Sequence, residues 1–252
     1  MNLLDGLSAL EPRQALALAL GLSLALYALM ANLGWVNRAP LALGRWGRLL
    51  VWQKKSRIGR ALGELARWVY YLGLPYATLI LGYTTISSLG IWGMDWIGAA
   101  IPFAILGVGA LIVTVWVWRP YAQSEHPHAL DESGWNWARH IVELIYQQAH
   151  WAFYRSGPIL WLGSFYWGSF IGLVLTLIEA WSNPAVRTHT REITRADAPI
   201  WSAGLAIIST IIFVYTQNTW YALGVHLIVD LGLRATIGFP RAHSPGDSSL
   251  FD

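Results

Sequence analysis

The sequence predicts an all-α protein, a polytopic transmembrane helix bundle with about seven spans and a basic amphipathic helix at the membrane interface. Of its 252 residues, 55% are hydrophobic and only 12% are charged, whereas soluble domains usually contain about 25% charged residues. Apolar runs of about 20 residues, the length that crosses the hydrocarbon core of a bilayer, recur along the chain. The sequence contains no Cys, which excludes disulfides, thiolate metal sites and a Cys nucleophile.

The chain divides into four predicted parts. Residues 1–37 contain the N-terminal transmembrane helix, with its span at 15–33, and residues 38–67 form the basic amphipathic interfacial segment. Residues 68–239 form the transmembrane bundle, in which further spans are expected at 68–89, 97–118, 135–158, 158–180, 199–216 and 220–237. Residues 240–252 are rich in Ser, Gly and Asp and are expected to form a flexible cytoplasmic tail.

The basic segment at residues 38–67 holds eight of the 17 Lys and Arg residues, with Trp and Leu between them. This pattern is typical of an amphipathic helix that lies on an anionic leaflet. A nucleic-acid partner would require the same charge, but the interleaved apolar side chains favour lipid, so no nucleic-acid partner is predicted. The residues expected to contact the membrane surface are Arg45, Arg48, Lys54, Lys55, Arg57 and Arg60.

The distribution of basic residues predicts the orientation of the bundle. With seven spans and residues 38–67 in the cytoplasm, 15 of the 17 Lys and Arg residues lie on the cytoplasmic side, and only Arg13 and Arg155 lie at the outer side. Lys and Arg near span ends are typically found in the cytoplasm. We therefore expect a cell (inner) membrane protein with its N-terminus outside and its C-terminus in the cytoplasm.

The fourth predicted span carries a stripe of polar side chains. Glu143, Gln147, His150 and Tyr154 follow one another at helical spacing and share one face of a helix. An ionisable residue inside a membrane costs about 2.5 to 3.5 kcal/mol on insertion scales, so the stripe must face protein or water. It is either a functional site or a structural cluster of interhelical hydrogen bonds.

Two other spans contain residues that bear on packing around this stripe. In the last span, His226 and Asp230 are four residues apart, and we expect them to face Glu143, His150 and Arg155. The fifth span contains small residues whose spacing predicts close helix contact: Gly163, Ser164, Gly168, Ser169 and Gly172. The two His residues of the loop at 123–133 form too weak a pattern to predict a metal site.

Two stretches resemble motifs of the CAAX protease and bacteriocin-processing family, the type II CAAX prenyl endopeptidase-like membrane proteins. HWAFYRSGPIL at residues 150–160 is similar to the family's Glu-Glu-x-x-x-Arg motif, with Arg155 at the Arg position. YTQNTWYALGVHLIVDLGL at residues 215–233 is similar to its terminal His-x-x-x-Asn motif, with His226 and Asp230 at the two named positions. The resemblance covers about residues 140–233 and implies a helical membrane fold.

The motifs depart from the family pattern in ways that bear on catalysis. His150 and Trp151 stand where the family has two Glu residues, Asp230 stands for Asn, and the intermediate Phe-x-x-x-His motif is missing. The resemblance therefore implies a degenerate homologue that acts as a scaffold or accessory subunit of a membrane complex. Its expected partners are the lipid bilayer and other integral membrane proteins.

Two alternatives stay open at this point. One is a divergent intramembrane endopeptidase, whose catalytic residues would be Glu143, His150, Arg155, His226 and Asp230, with Glu143 as the general base. The other is a pigment- or haem-binding subunit, in which His150 or His226 would be an axial ligand.

Overall fold

The computed structural model describes residues 11–36, 56–124, 136–192 and 196–237. Within these ranges all regular structure is helical, and no strand occurs. A π-helical turn at Val69–Gly73 joins the second helix to the third. The helices are α1 (Pro12–Val36), α2 (Arg57–Trp68), α3 (Leu74–Ile80), α4 (Trp96–Ser124), α5 (Asn136–Leu162), α6 (Phe165–Ser182), α7 (Pro184–His189), α8 (Asp197–Thr216) and α9 (Thr219–Ile237).

Four of these helices are long and apolar enough to cross a membrane: α1, α4, α6 and α8. Helix α4 is the most exposed of the four, because only 6% of its most apolar stretch of 18 residues is buried inside the bundle. Since apolar side chains facing water would be unfavourable, such a helix fits a lipid environment. The prediction of a helical membrane protein is therefore supported. Four of the seven predicted spans are matched by a described helix of this length and hydropathy.

The second predicted span differs most from the structure. It was expected to run over residues 68–89, whereas the continuous helical segment begins at Arg57 and ends at Ile80. Residues 81–95 form turns, which begin with Gly82 at φ +73°. The π-helical turn lies just before Pro75, whose ring and missing N–H disturb regular α-helical bonding.

Helix α5 lies at the centre of the bundle and packs against α1, α6, α9 and the π-helical turn. Residues 151–159 are all buried. Its closest neighbour is α6, because a Cβ atom added to Gly172 would lie 2.7 Å from the Cα atom of Arg155. Gly168 meets the backbone of Ile159 in the same way, which confirms the close contact predicted from the small residues of α6.

The break between α8 and α9 fixes where α9 lies. Gln217 ends α8 in the left-handed conformation at φ 50°, and the buried side chain of Asn218 caps α9 by accepting a hydrogen bond from the Trp220 N–H at 2.8 Å. The N–H of Thr219 donates to the carbonyl oxygen of Gly90 at 2.8 Å. The turn before α4 is thereby tied to the start of α9.

The predicted interfacial segment is described only from Ser56 onward. Ser56 caps α2, its hydroxyl accepting a hydrogen bond from the Gly59 N–H at 2.8 Å, and Arg57 and Arg60 are exposed on this helix. The other predicted membrane-surface residues, Arg45, Arg48, Lys54 and Lys55, lie outside the described residues, as do the predicted tail at 240–252 and the His-containing part of the loop at 123–133.

Candidate functional site

Two polar clusters lie on different faces of α5. The carboxylate cluster consists of Ser23, Tyr70, His150, Tyr154 and Glu179, and the glutamine cluster consists of Gln148, Ser209 and His226. His150 and Gln148 are two residues apart, and at about 3.6 residues per turn their side chains leave the helix in nearly opposite directions. Helix α5 thus separates two polar sites inside the bundle.

The carboxylate cluster is built around Glu179 of α6. Its Oε1 atom lies 3.3 Å from Nε2 of His150, and the hydroxyl of Tyr70 donates a hydrogen bond to Oε1 at 2.8 Å. The Ser23 hydroxyl lies 3.1 Å from both the Tyr70 and the Tyr154 hydroxyl oxygens. Helices α1, α5, α6 and the π-helical turn therefore meet in one buried polar network.

Glu179 was missed as a site residue in the sequence, although a signal for it existed. It is a buried carboxylate, 6% exposed, in the apolar stretch LVLTLIEAW of the fifth predicted span. A lone acid in such a stretch indicates a partner or a function by the same argument that drew attention to the stripe on α5. Its contact with His150 lies 29 positions away in the chain and could not be inferred from helical spacing.

A cavity of about 160 Å³ adjoins the carboxylate cluster. Residues of six elements line it, and they include Tyr27, Tyr71, Gln147, His150, Trp151, Glu179, Pro199 and Ala203. His150 is 1% exposed, and neither of its ring nitrogens makes a hydrogen bond of acceptable geometry with a described residue. Its ring is packed between Tyr70 and Tyr154, at centroid distances of 4.7 and 4.5 Å.

The glutamine cluster uses both ends of one amide group. Nε2 of Gln148 lies 2.9 Å from Nδ1 of His226, and the Ser209 hydroxyl donates to Oε1 of Gln148 at 2.9 Å. Trp151 stacks on the His226 ring at 5.5 Å with an interplanar angle of 8°. Since Trp151 also lines the cavity, its indole separates His226 from that space.

Asp230 and Arg155 lie in two further environments. The indole N–H of Trp201 donates to Oδ1 of Asp230 at 3.4 Å. Arg155 is 1% exposed and lies over the ring of Phe213, with Cζ 4.2 Å from the ring centroid. No described residue accepts a hydrogen bond from its guanidinium nitrogens.

Glu143 belongs to an ion-pair network at the end of α5 that faces α2. It pairs with Arg67, which also lies 3.5 Å from Glu64, and Arg139 lies 3.2 Å from the same Glu64 carboxylate. Partial burial lowers the pKa of the Arg67 guanidinium, but hydrogen bonding and attraction to Glu143 raise it more, so its pKa lies above the ordinary value. This network joins α2 to α5.

The structure thus differs from the predicted contact between α9 and the stripe of α5. The two helices do pack together, but His226 meets Gln148 and Trp151 rather than the stripe residue His150. The contacts differ because Gln148 and His150 lie on different faces of α5, and His226 of α9 meets the face that carries Gln148. Of the five predicted site residues, only His150 is among the described residues that line the cavity.

Metal and pigment ligation find little support in this geometry. Among the described residues, no group of three or more His, Cys, Asp or Glu side chains is placed to hold a metal ion. The rings of both candidate axial ligands are packed against aromatic side chains, His150 by Tyr70 and Tyr154 and His226 by Trp151.

Within the described residues, the fold and the site together define a helical bundle that has four helices long and apolar enough to cross a membrane and a buried carboxylate–imidazole pair. Comparison of the chain with protein-family models, curated proteins and solved structures gives no match.

Proposed function

We propose that this protein is a non-catalytic multi-pass membrane protein that acts as a scaffold or accessory subunit of a membrane complex. The separation of the predicted catalytic side chains is the observation that supports the proposal most directly. Glu143 is paired with Arg67 near the interfacial helix. His226 is bonded to Gln148, and the indole of Trp151 stands between it and the cavity. Peptide hydrolysis needs a base and oxyanion donors that converge on one reacting carbonyl group.

The outer surface of the bundle is suited to contacts with lipid and with other membrane helices. Helix α4 exposes large apolar side chains, among them Ile97 at 88% and Trp116 at 77%. Trp offers a large contact area together with one hydrogen-bond donor. Arg57 and Arg60 are exposed on α2, which supports their proposed role in binding an anionic leaflet.

Affinity purification from native membranes tests the scaffold role. We expect intact, unprocessed integral membrane proteins to co-purify, and the same partners to appear with the Glu143→Gln variant, since Glu143 has no chemical role in a scaffold. Recovery of cleaved partners from wild type only would contradict the proposal.

The second candidate function is a divergent intramembrane endopeptidase, and the His150–Glu179 pair is the observation that favours it. An imidazole beside a carboxylate at a cavity is the usual arrangement of an oriented general base. This candidate requires purified protein to process a prenylated or membrane-embedded peptide, and His150→Gln to abolish that turnover. We expect no turnover in either protein. The Glu143→Gln variant distinguishes this base from Glu143, the general base expected from the sequence for an active endopeptidase.

The third candidate, a pigment- or haem-binding subunit, is supported least. The cavity beside His150 measures about 160 Å³, whereas pockets for ligands of ordinary size measure about 300 to 1,000 Å³. We expect the purified protein to have no absorption bands beyond those of its aromatic side chains. A Soret-like band that is lost in His150→Ala or His226→Ala would revive this candidate.

We further propose seven spans in the cell (inner) membrane, with the N-terminus outside and the C-terminus in the cytoplasm. Helices α1, α4, α6 and α8 are long and apolar enough to cross a membrane, which supports four of the seven proposed spans, and the positive-inside rule gives the orientation. Reporter fusions that are active only outside should be active at Gly93 and inactive at Ser56 and Ser244. The reverse result at any one of these positions would refute the seven-span arrangement.

A further inference from the structure

We propose that the cavity beside the carboxylate cluster binds a primary ammonium group. Two sources could supply this group, the head of an aminophospholipid or a small soluble amine. The site goes beyond the scaffold role, because it can exist whether or not the protein is catalytic.

The charge of the cavity favours a cation. Glu179 lines it, and no Lys or Arg belongs to the described residues of its lining. Among the described lining residues, the only ionisable base is the imidazole of His150. An anionic ligand would meet the Glu179 carboxylate at close range in a low-dielectric bundle, where like charges repel strongly.

The hydrogen-bonding groups of the cavity favour a ligand with N–H donors. His150 is buried but makes no hydrogen bond of acceptable geometry with any described residue. Buried polar atoms in native proteins usually have a partner. A primary ammonium group has three N–H donors, so it can donate to the Glu179 carboxylate and to the acceptor nitrogen of a neutral His150 at the same time. A quaternary ammonium group has none.

The walls and size of the cavity agree with a small organic cation. Tyr27, Tyr71 and Trp151 line it, and aromatic rings attract cations through their π faces. Its volume of about 160 Å³ accommodates a head group but not a whole lipid.

The position of the cavity is suited to a head group. Glu179 stands three residues before the end of α6, and Pro199 of the lining belongs to the first turn of α8. The cavity therefore lies near the bundle end that carries the interfacial helix α2, close to the depth where lipid head groups occur.

The test uses the purified full-length protein and two forms of each amine. In delipidated detergent solution, thermal stability is measured with ethanolamine, choline or sodium phosphate. In phosphatidylglycerol nanodiscs that contain phosphatidylethanolamine or phosphatidylcholine, retained lipid is measured by native mass spectrometry. We expect an ethanolamine-type ligand to raise the Tm of the wild type, and to bind at least about tenfold more tightly than its choline counterpart, which lacks N–H donors.

Three variants make the test specific. Glu179→Gln removes the charge, and Ala203→Leu fills the cavity from α8 while leaving the His150–Glu179 pair in place. Both are expected to weaken binding at least about tenfold. The Leu variant decides the question if the Gln variant does not fold. Glu11→Gln removes an exposed carboxylate at the start of α1 and should bind like wild type.

Stabilisation by free ethanolamine would assign the soluble source, and selective retention of phosphatidylethanolamine alone would assign the lipid source. Both results support the proposal. Equal binding of ethanolamine and choline forms, stabilisation by phosphate alone, no response to any probe, or wild-type binding by Ala203→Leu would each overturn it. A peptidase activity of the purified protein would leave these binding results unchanged. The scaffold proposal and the amine-binding proposal can therefore fail separately.

Discussion

Helix α5 carries one polar cluster on each of two faces, and the α5 residues of the two clusters, Gln148 and His150, differ in how fully their polar atoms are hydrogen-bonded. In the glutamine cluster, Gln148 is bonded at its nitrogen to His226 and at its oxygen to Ser209. In the carboxylate cluster, His150 is buried beside Glu179, but its ring nitrogens lack hydrogen bonds of acceptable geometry with described residues. Only the second cluster adjoins the cavity of about 160 Å³.

This difference separates a structural role from a binding role for two polar groups of the same helix. Gln148 also borders a groove of about 470 Å³, but most of the side chains around that groove are apolar and the amide is already bonded elsewhere. An amide bonded at both ends holds helices together, whereas a buried imidazole without such bonds beside a cavity can accept a ligand. Changes to the two faces should therefore affect stability and binding differently.

The largest expected effect comes from forcing α6 away from α5. Gly172→Ala places a Cβ atom 2.7 Å from the Cα atom of Arg155, which the backbones cannot accommodate without moving apart. We expect the free energy of unfolding to fall by about 3 kcal/mol. Because Glu179 lies on α6 and His150 on α5, amine binding should be lost as well. Thermal unfolding in detergent and the nanodisc assay measure the two effects.

The matched control is Gly204→Ala on α8, where an added Cβ atom meets nothing within 4 Å. It should be neutral or slightly stabilising, since Ala favours helix more than Gly does. Equal losses in the two variants would mean that the Gly172 contact does not hold the two helices together.

A smaller effect is expected when the glutamine cluster is broken. Gln148→Leu leaves Nδ1 of His226 and the Ser209 hydroxyl without their partner, so we expect a loss of about 2 kcal/mol in unfolding free energy. Amine binding at the other face should persist. Gln147→Leu is a control for stability alone, because no hydrogen bond involves the Gln147 side chain among the described contacts, although this residue lines the amine cavity. If Gln148→Leu abolished amine binding and left the free energy of unfolding unchanged, the two faces would not have the separate roles assigned to them.

Substitution of Arg155 tests whether the polar groups on the Gln148 face of α5 all have partners. The two residues are seven apart and share that face, yet no described residue accepts a hydrogen bond from the buried guanidinium. Arg155→Met should therefore raise the unfolding free energy by about 1 kcal/mol, the gain from removing a buried charge being reduced by the lost contact with Phe213. A destabilisation as large as that of Gln148→Leu would reveal an anionic partner for Arg155.

The smallest expected effect is that of breaking the ion pair between Glu143 of α5 and Arg67 of α2. The Arg67 and Glu143 side chains are 36% and 29% exposed, and partly exposed pairs of this kind contribute little. Glu143→Gln should lower the unfolding free energy by less than about 1 kcal/mol, and the loss should shrink in high salt. A loss above about 2 kcal/mol that does not respond to salt would make Glu143 a buried network residue.

The local features of this protein were largely determined by its sequence. Apolar runs placed α1, α4, α8 and α9 near their observed positions, but the boundary expected at Pro158 lies inside α5, which continues to Leu162, and α6 begins only at Phe165. The small residues of the fifth span predicted close helix contact, and α6 makes this contact with α5. These predictions succeed because helix formation and span length depend on residues near one another in the chain. The predicted second span failed at its C-terminal end, where the turn at Gly82 ends the helix earlier.

The partners of the polar residues were decided by the tertiary structure. The sequence placed His150 and His226 in spans, but it could not supply Glu179 as the partner of one or Gln148 as the partner of the other. These contacts join residues 29 and 78 positions apart, and they depend on how each helix is rotated about its own axis. That rotation is set by packing, such as the fit of Gly172 against Arg155, and helical periodicity alone leaves it undetermined.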